Sequence, residues 1–266
     1  MKVVILAGGL GSRLSEETKL RPKPLVEIGD IPIIEHVMNW YLHFGLTDFY
    51  LCIGYLGEQI IDYFKDYHLR GSTVRILPDG SVKTLECRKK PWTVTLVQSG
   101  LKSQTGGRIK KIKPFLNKDE NFLMTYADGL SNIDINLLQS FHKSHGKLAT
   151  VSAVRPTARF GTLKIEENNV KEFREKPVTE GGWINGGYFV LSEKVLDYIS
   201  DDSSVWEQDP MKSLVEDEQL EAFKHYGFWQ PMDTLREKNI LNTLWDSGSA
   251  PWIPPKEDVI PIHVAR

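Results

Sequence analysis

Val3-Val-Ile-Leu-Ala-Gly-Gly-Leu-Gly-Ser-Arg13, followed after a short polar interval by Arg21-Pro-Lys-Pro24, frames everything else in this chain. Val3 to Leu6 form a continuous apolar run, the pattern of a parallel strand buried on both faces. Ala7, Gly8, Gly9 and Gly11 then clear side chains from the path of the backbone. Glycine permits close approach and positive φ, so the N–H groups of this loop, with the Ser12 hydroxyl, can line a concave anion site. Arg13 and Lys23 place two cations beside it. Backbone donors, a guanidinium and an ammonium together suit a triphosphate.

Two other glycine loops do not fit. A dinucleotide fingerprint would carry its third glycine where Leu14 stands, and a P-loop would end in Gly-Lys-Ser/Thr. The remaining alternative is a plain strand-to-loop turn without a ligand, and the paired cations argue against it.

Outward from the loop, Pro32 to Phe44 reads as a helix with apolar residues at helical spacing and Gly45 as its stop. Phe49 to Ile53 is a second buried strand and Gly57 to Tyr67 a second helix, so the alternation predicts a parallel sheet with helices on its faces. Val74–Leu77 and Val82–Cys87 read as a hairpin, and Trp92–Gln98 as a further strand. Thr105-Gly-Gly-Arg108 opens a helix to about Leu116, a second glycine-rich helix start. Phe122 to Asp128 is the central strand of this half and ends in an acid before Gly129. A carboxylate at that edge suits Mg²⁺, which takes one or two carboxylates plus phosphate oxygens, so Asp128 is the first candidate ligand. Ile133 to His145 is a surface helix whose His142 and His145 read as a solvated end. Ala149–Val154 is a strand, Phe160–Ile165 and Val170–Phe173 a hairpin, and Ile184–Leu191 a buried strand. Glu193–Ile199 is a short helix, the segment after Trp206 another, and Leu220–His225 a strand. The final helix ends near Gly248, with Asp233 just before it in a capping position. The proline-rich tail from Ala250 is expected to leave the body.

Leu-Ala-Gly-Gly-Leu-Gly-Ser-Arg with Pro-Lys-Pro resembles the sugar-1-phosphate nucleotidyltransferases. The likeness continues through Pro91-Trp-Thr-Val-Thr-Leu-Val97, Thr105-Gly-Gly-Arg108, Tyr126-Ala-Asp-Gly129, Trp206-Glu-Gln-Asp-Pro210 and Phe228-Trp-Gln-Pro-Met-Asp-Thr-Leu-Arg236. It covers Met1 to Trp252 and is strongest toward members that use cytidine. It implies a Rossmann-like α/β fold with a mixed, mainly parallel sheet, helices on both faces, and antiparallel additions in the sugar-binding half. It also implies a single domain over 1–250, with 1–130 mainly for the nucleotide, 131–250 mainly for the sugar phosphate, and a tail at 251–266.

The reaction implied is transfer of a cytidylyl group from CTP to α-D-glucose 1-phosphate with Mg²⁺, a step toward dideoxy-sugars of surface polysaccharide. Leu6, Ala7, Gly8, Gly9, Gly11, Ser12, Arg13 and Lys23 would hold the nucleotide, with Thr105, Gly106, Arg108 and Ala127. Arg13, Lys23 and Asp128 would serve the chemistry. Asp128 and Asp233 would hold the metal, and Gly129, Glu175, Lys176, Asn185 and Gly186 the sugar phosphate. A homo-oligomer is implied, with a hexamer as one such assembly. Ser12 stands where the family usually has threonine, and Ala127 where it often has glycine. Uridylyl or thymidylyl transfer, and a non-catalytic sugar-nucleotide sensor, are the competing functions.

Composition narrows the classes. A chain of 266 residues with a net charge of −2 and no long basic run gives no electrostatic support for binding nucleic acid. Two cysteines cannot build a disulfide framework. The first apolar run meets glycine too soon for a signal peptide, and no stretch is long enough for a bilayer. The cytoplasm is therefore expected.

Overall fold

The computed structural model describes residues 1–86, 90–156, 162–166, 169–174 and 182–255. Its centre is a seven-stranded sheet made of β1 (Val3–Ala7), β2 (Asp48–Ile53), β3 (Thr93–Gln98), β4 (Asn121–Tyr126), β5 (Ala149–Val154), β6 (Ile184–Ser192) and β7 (Leu220–Lys224). Their order is β7-β5-β6-β4-β1-β2-β3. All pairings are parallel except those of β6, which runs against both β4 and β5. The expected mixed, mainly parallel sheet is thus present.

The apolar run of β1 explains its central place. Val3, Ile5 and Ala7 enter one core with α1 (Ile33–His43), α2 (Gly57–Lys65), α4 (Ile135–His145) and α6 (Leu235–Asp246). Val4 and Leu6 enter the opposite core with α3 (Thr105–Lys110) and α5 (Asp209–Glu216). Alternate residues of one strand therefore bury against helices on both faces.

Several boundaries differ from the sequence reading. The helix opened by Thr105 stops at Lys110 and continues only as a 3₁₀ turn, Lys113–Phe115, because Pro114 cannot donate to an α-helical ladder. α4 begins at Ile135, since the Asp134 carboxylate accepts from the Leu137 N–H at 2.9 Å and caps it. Its histidines are not a solvated end. His142 is buried and, with His145, hydrogen-bonds the Thr150 hydroxyl at 2.8 and 2.7 Å. The tail does not leave the body at Ala250. Trp252 is fully buried, stacks on Phe228 and donates its indole N–H to His36 Nδ1 at 3.2 Å. Glu193–Tyr198 is a 3₁₀ helix. Phe160, Cys87 and residues 175–181 lie outside the described residues.

Candidate active site

The chain order reverses between β1 and β4, and in open α/β sheets a crevice forms beyond the strand ends at such a point. A cavity of about 950 Å³ opens there. Because β6 is antiparallel to β4, its first residues, Asn185 and Gly186, reach the same edge as Ala127 and Asp128. Beyond β4, Gly129–Ser131 pairs with Trp229–Pro231, and the Met232 N–H donates to the Asp128 carbonyl at 2.8 Å. That pairing carries Asp233 to the side of Asp128, 105 residues away in sequence from each other.

Residues 6–13 form one wall. Gly11 has φ +64°, and a Cβ there would lie 2.8 Å from the Thr18 methyl. Thr18 fixes the turn by donating its hydroxyl to the Gly11 and Leu14 carbonyls, both at 3.0 Å. Gly9 differs: a Cβ there would meet nothing within 4 Å. Its open side is where a ligand can approach the main chain.

The charged groups meet across the mouth. Lys23 Nζ lies 2.5 Å from Asp128 Oδ2 and 2.6 Å from Asp233 Oδ1. Arg13 reaches the other Asp233 oxygen at 2.6 Å. Burial alone would depress the Lys23 ammonium, but Asp128 and Asp233 outweigh it and hold its pKa above the usual lysine value. Asp233 is free for this role because Thr234 caps α6, in a reciprocal box with Glu237. Among the described residues no group of three or more His, Cys, Asp or Glu side chains could hold a metal ion alone. Two carboxylates converging on one cationic point could nevertheless hold a magnesium-type ion whose remaining ligands are phosphate oxygens.

The opposite wall comes from α3 and its approach. Thr105 and Arg108 line the cavity, but Gly106 does not. A Cβ at Gly106 would sit 2.7 Å from the Ser204 carbonyl, and the Gly107 N–H already donates to that carbonyl. The two glycines let α3 pack closely on the Asp202–Ser204 loop, and the Gly107 N–H is taken up there rather than offered to a ligand. Arg108 is buried over Gly8 and Gly54. One of its terminal nitrogens donates to the Ser99 hydroxyl at 2.6 Å and the Gly100 carbonyl at 3.0 Å.

Lys23, Ala127, Asp128, Gly129, Asn185, Gly186 and Asp233 also line the cavity, so most of the residues named from the sequence come together. Glu175 and Lys176 lie outside the described residues. The wall residues that the sequence did not point to include Glu207, Tyr126, Tyr188 and Trp229. Glu207 accepts from the Thr105 hydroxyl at 2.6 Å and also from the Tyr126 phenol. Burial, then the Glu207 carboxylate, raise the Tyr126 pKa well above the usual tyrosine value. Tyr188 donates to the Gly129 carbonyl at 2.9 Å, and the Trp229 indole to the Gly186 carbonyl at 2.7 Å. The motifs Trp206-Glu and Phe228-Trp were visible, but nothing in their spacing said that those side chains face one cavity.

A profile of the family described as nucleotidyl transferase matches residues 2–233. The glucose-1-phosphate cytidylyltransferase of Salmonella typhi is 49% identical over 253 residues, covering 95% of this chain and 98% of that one. The mannose-1-phosphate guanyltransferase of Schizosaccharomyces pombe is 31% identical over 248 residues, 91% of this chain and 62% of that one. Among solved structures, HddC from Yersinia pseudotuberculosis in complex with GMP-PN superposes with a TM-score of 0.66. It is 23% identical, and the match covers 92% of this chain and 99% of that one, a likeness of fold.

Proposed function

This chain belongs to the nucleotidyl transferase family, and from that premise we propose that it transfers a cytidylyl group from CTP to α-D-glucose 1-phosphate, giving CDP-glucose and pyrophosphate. The convergence of Lys23, Asp128 and Asp233 beside an unobstructed glycine loop carries the reaction class. The near full-length likeness to the Salmonella enzyme supports the choice of substrates.

An oxygen of the sugar phosphate attacks the α-phosphorus, a new P–O bond forms, and the bond to the β-phosphate oxygen breaks in line. The nucleophile is already an anion, so the residues need not remove a proton. They hold two anionic reactants together and neutralise charge. Residues 6–13 receive the triphosphate on the open side of Gly9, with Arg13 on its outer oxygens. Lys23 donates to the reacting phosphate. Divalent metal is general to the family, and Mg²⁺ held by Asp128, Asp233 and phosphate oxygens would supply Lewis-acid charge neutralisation. Asn185 and Gly186 face the sugar, joined by Gly129. Lys176 is assigned to the sugar phosphate and Glu175 to its hydroxyls.

Arg108 supports the cytidylyl reading. A guanidinium only donates, and cytosine offers two adjacent acceptors, O2 and N3, where uracil places an N–H between its carbonyls. No helix among the described residues is long and apolar enough to cross a membrane. Nucleotide substrates place the activity in the cytoplasm.

A homo-oligomer is part of the same proposal. The ribbon Thr73–Ile76 with Val82–Glu86 exposes Val74, Ile76, Val82 and Leu85, and an isolated two-stranded ribbon is marginal in water. Light scattering should find an assembly larger than the monomer.

The direct test is mass spectrometry after incubation with CTP, glucose 1-phosphate and Mg²⁺. CDP-glucose and pyrophosphate are expected. CMP without a sugar nucleotide would refute the transfer.

A further inference from the structure

The ends of β1, β2 and β3 converge on one nitrogen of Arg108. A Cβ on Gly8 would lie 2.1 Å from that nitrogen, and one on Gly54 would lie 2.5 Å from it. Ser99, directly after β3, is 1% exposed and Arg108 5% exposed. The Ser99 hydroxyl donates to the Ile53 carbonyl at 2.7 Å and accepts from the Arg108 nitrogen at 2.6 Å. Its proton is therefore committed to Ile53 and its lone pair to Arg108, so the hydroxyl is oriented from both sides. The Gly100 carbonyl takes the second hydrogen of the same nitrogen at 3.0 Å. Among the described residues no carboxylate pairs with this guanidinium, and its Nε and second terminal nitrogen have no partner. A buried cation in a cavity wall, with one nitrogen fully used and the rest unpaired, is poised for acceptors on a ligand.

We propose that Ser99 is a positioning residue for nucleotide binding, acting through Arg108: its oriented hydroxyl holds one guanidinium nitrogen and thereby aims the remaining donors at the nucleotide. The inference rests on the nucleotide reading of this cavity. It concerns binding of the triphosphate and leaves the reacting centre, formed by Lys23, Asp128 and Asp233, untouched. Ser99 needs only its hydroxyl for this. Threonine preserves the function, whereas valine, of the same shape as threonine, abolishes it.

The test is a calorimetric dissociation constant for CTP, with UTP in parallel, on wild type, Ser99→Ala, Ser99→Thr, Ser99→Val, Arg108→Ala and Ser99→Ala/Arg108→Ala, together with steady-state constants. Ser99→Ala should weaken CTP by about tenfold, as expected when a charged donor loses its fixing hydrogen bond. The kcat should change by less than about threefold and the KM for glucose 1-phosphate should stay level, because the lost interaction binds nucleotide uniformly. Ser99→Thr should restore affinity and Ser99→Val should not. If the alanine variant fails to fold, the threonine and valine pair still isolates the hydroxyl. In the Arg108→Ala background, removing the hydroxyl should have no further effect. Equal losses with and without Arg108, or equal affinity of the threonine and valine variants, would overturn the proposal. Wild type that binds neither triphosphate would refute the nucleotide reading itself, a distinct failure.

Discussion

Gly8 and Gly9 are adjacent, both line the cavity, and the structure assigns them opposite sensitivities. A methyl group on Gly8 would sit 2.1 Å from a terminal nitrogen of Arg108, 2.6 Å from its Cζ and 2.9 Å from the Gly54 amide nitrogen. The last contact is backbone, so the methyl cannot escape by pushing aside a flexible side chain alone. Arg108 must move, giving up its bonds to Ser99 and Gly100. Hydrogen bonds to charged groups contribute about 1.5–3 kcal/mol each, so Gly8→Ala should cost about 3 kcal/mol or more. At roughly 2–4 °C per kcal/mol for a chain of this size, the Tm should fall by about 6–12 °C. CTP affinity should fall with it. Gly9→Ala meets nothing within 4 Å, and Gly9 has no positive φ. Its Tm should stay within about 1 °C, as for a neutral surface change. Its methyl group still stands where the phosphates approach, so the KM for CTP should rise by about tenfold. Differential scanning calorimetry of both variants, followed by CTP kinetics, decides the matter. Equal Tm values for the two variants, or an unshifted Gly8→Ala, would refute the packing argument.

Lys23→Met should bind Mn²⁺ at least about tenfold tighter in the absence of nucleotide, since the ammonium that bridges both aspartates is gone; electron paramagnetic resonance reads this, and unchanged affinity would contradict it. The same variant should lose about 10²–10³ in kcat, as expected for a donor to developing charge. Asp128→Asn and Asp233→Asn should each lower turnover by about 10²-fold or more, and full activity in chelator would remove the metal assignment. Burial, then His145, hold His142 down to about 4, below its unfolded value of about 6.5. The unfolded chain takes up this proton first, so the contribution is intact above about pH 6.5 and is lost as pH falls toward 4. At about 1.4 kcal/mol per unit, it is worth on the order of 3 kcal/mol. Urea midpoints at pH 7 and 5 should separate less in His142→Asn than in wild type.

The central strand and its loop were legible because their chemistry is local. An apolar run flanked by glycines permits few alternatives, and the sheet followed from repetition of that pattern. Asp128 was legible as an acid at a strand end, although it lies two residues past β4. Other features depended on partners far along the chain. Gly106 and Gly107 look like an anion-binding helix start until the Ser204 carbonyl is seen against them. Asp233 and Thr234 are both good caps, and only the fold shows that Thr234 takes that role and leaves the aspartate to Lys23. Glu207 and Ser99 carry ordinary residue types in unremarkable local sequence, and their partners are 102 and 9 residues away. The burial of Trp252 depends on His36 and Phe228, which no spacing connects to it.

The cytidylyl assignment is tested most directly by kcat/KM for CTP, UTP, dTTP, ATP and GTP at saturating glucose 1-phosphate and Mg²⁺, read as pyrophosphate release. A site that hydrogen-bonds one base leaves buried groups unpaired with another, and discrimination of roughly 10⁴ is attainable when those groups are desolvated. CTP should therefore be strongly preferred and UTP a poor second substrate. Equal values for the two pyrimidine nucleotides, or a preference for UTP or dTTP, would contradict the account.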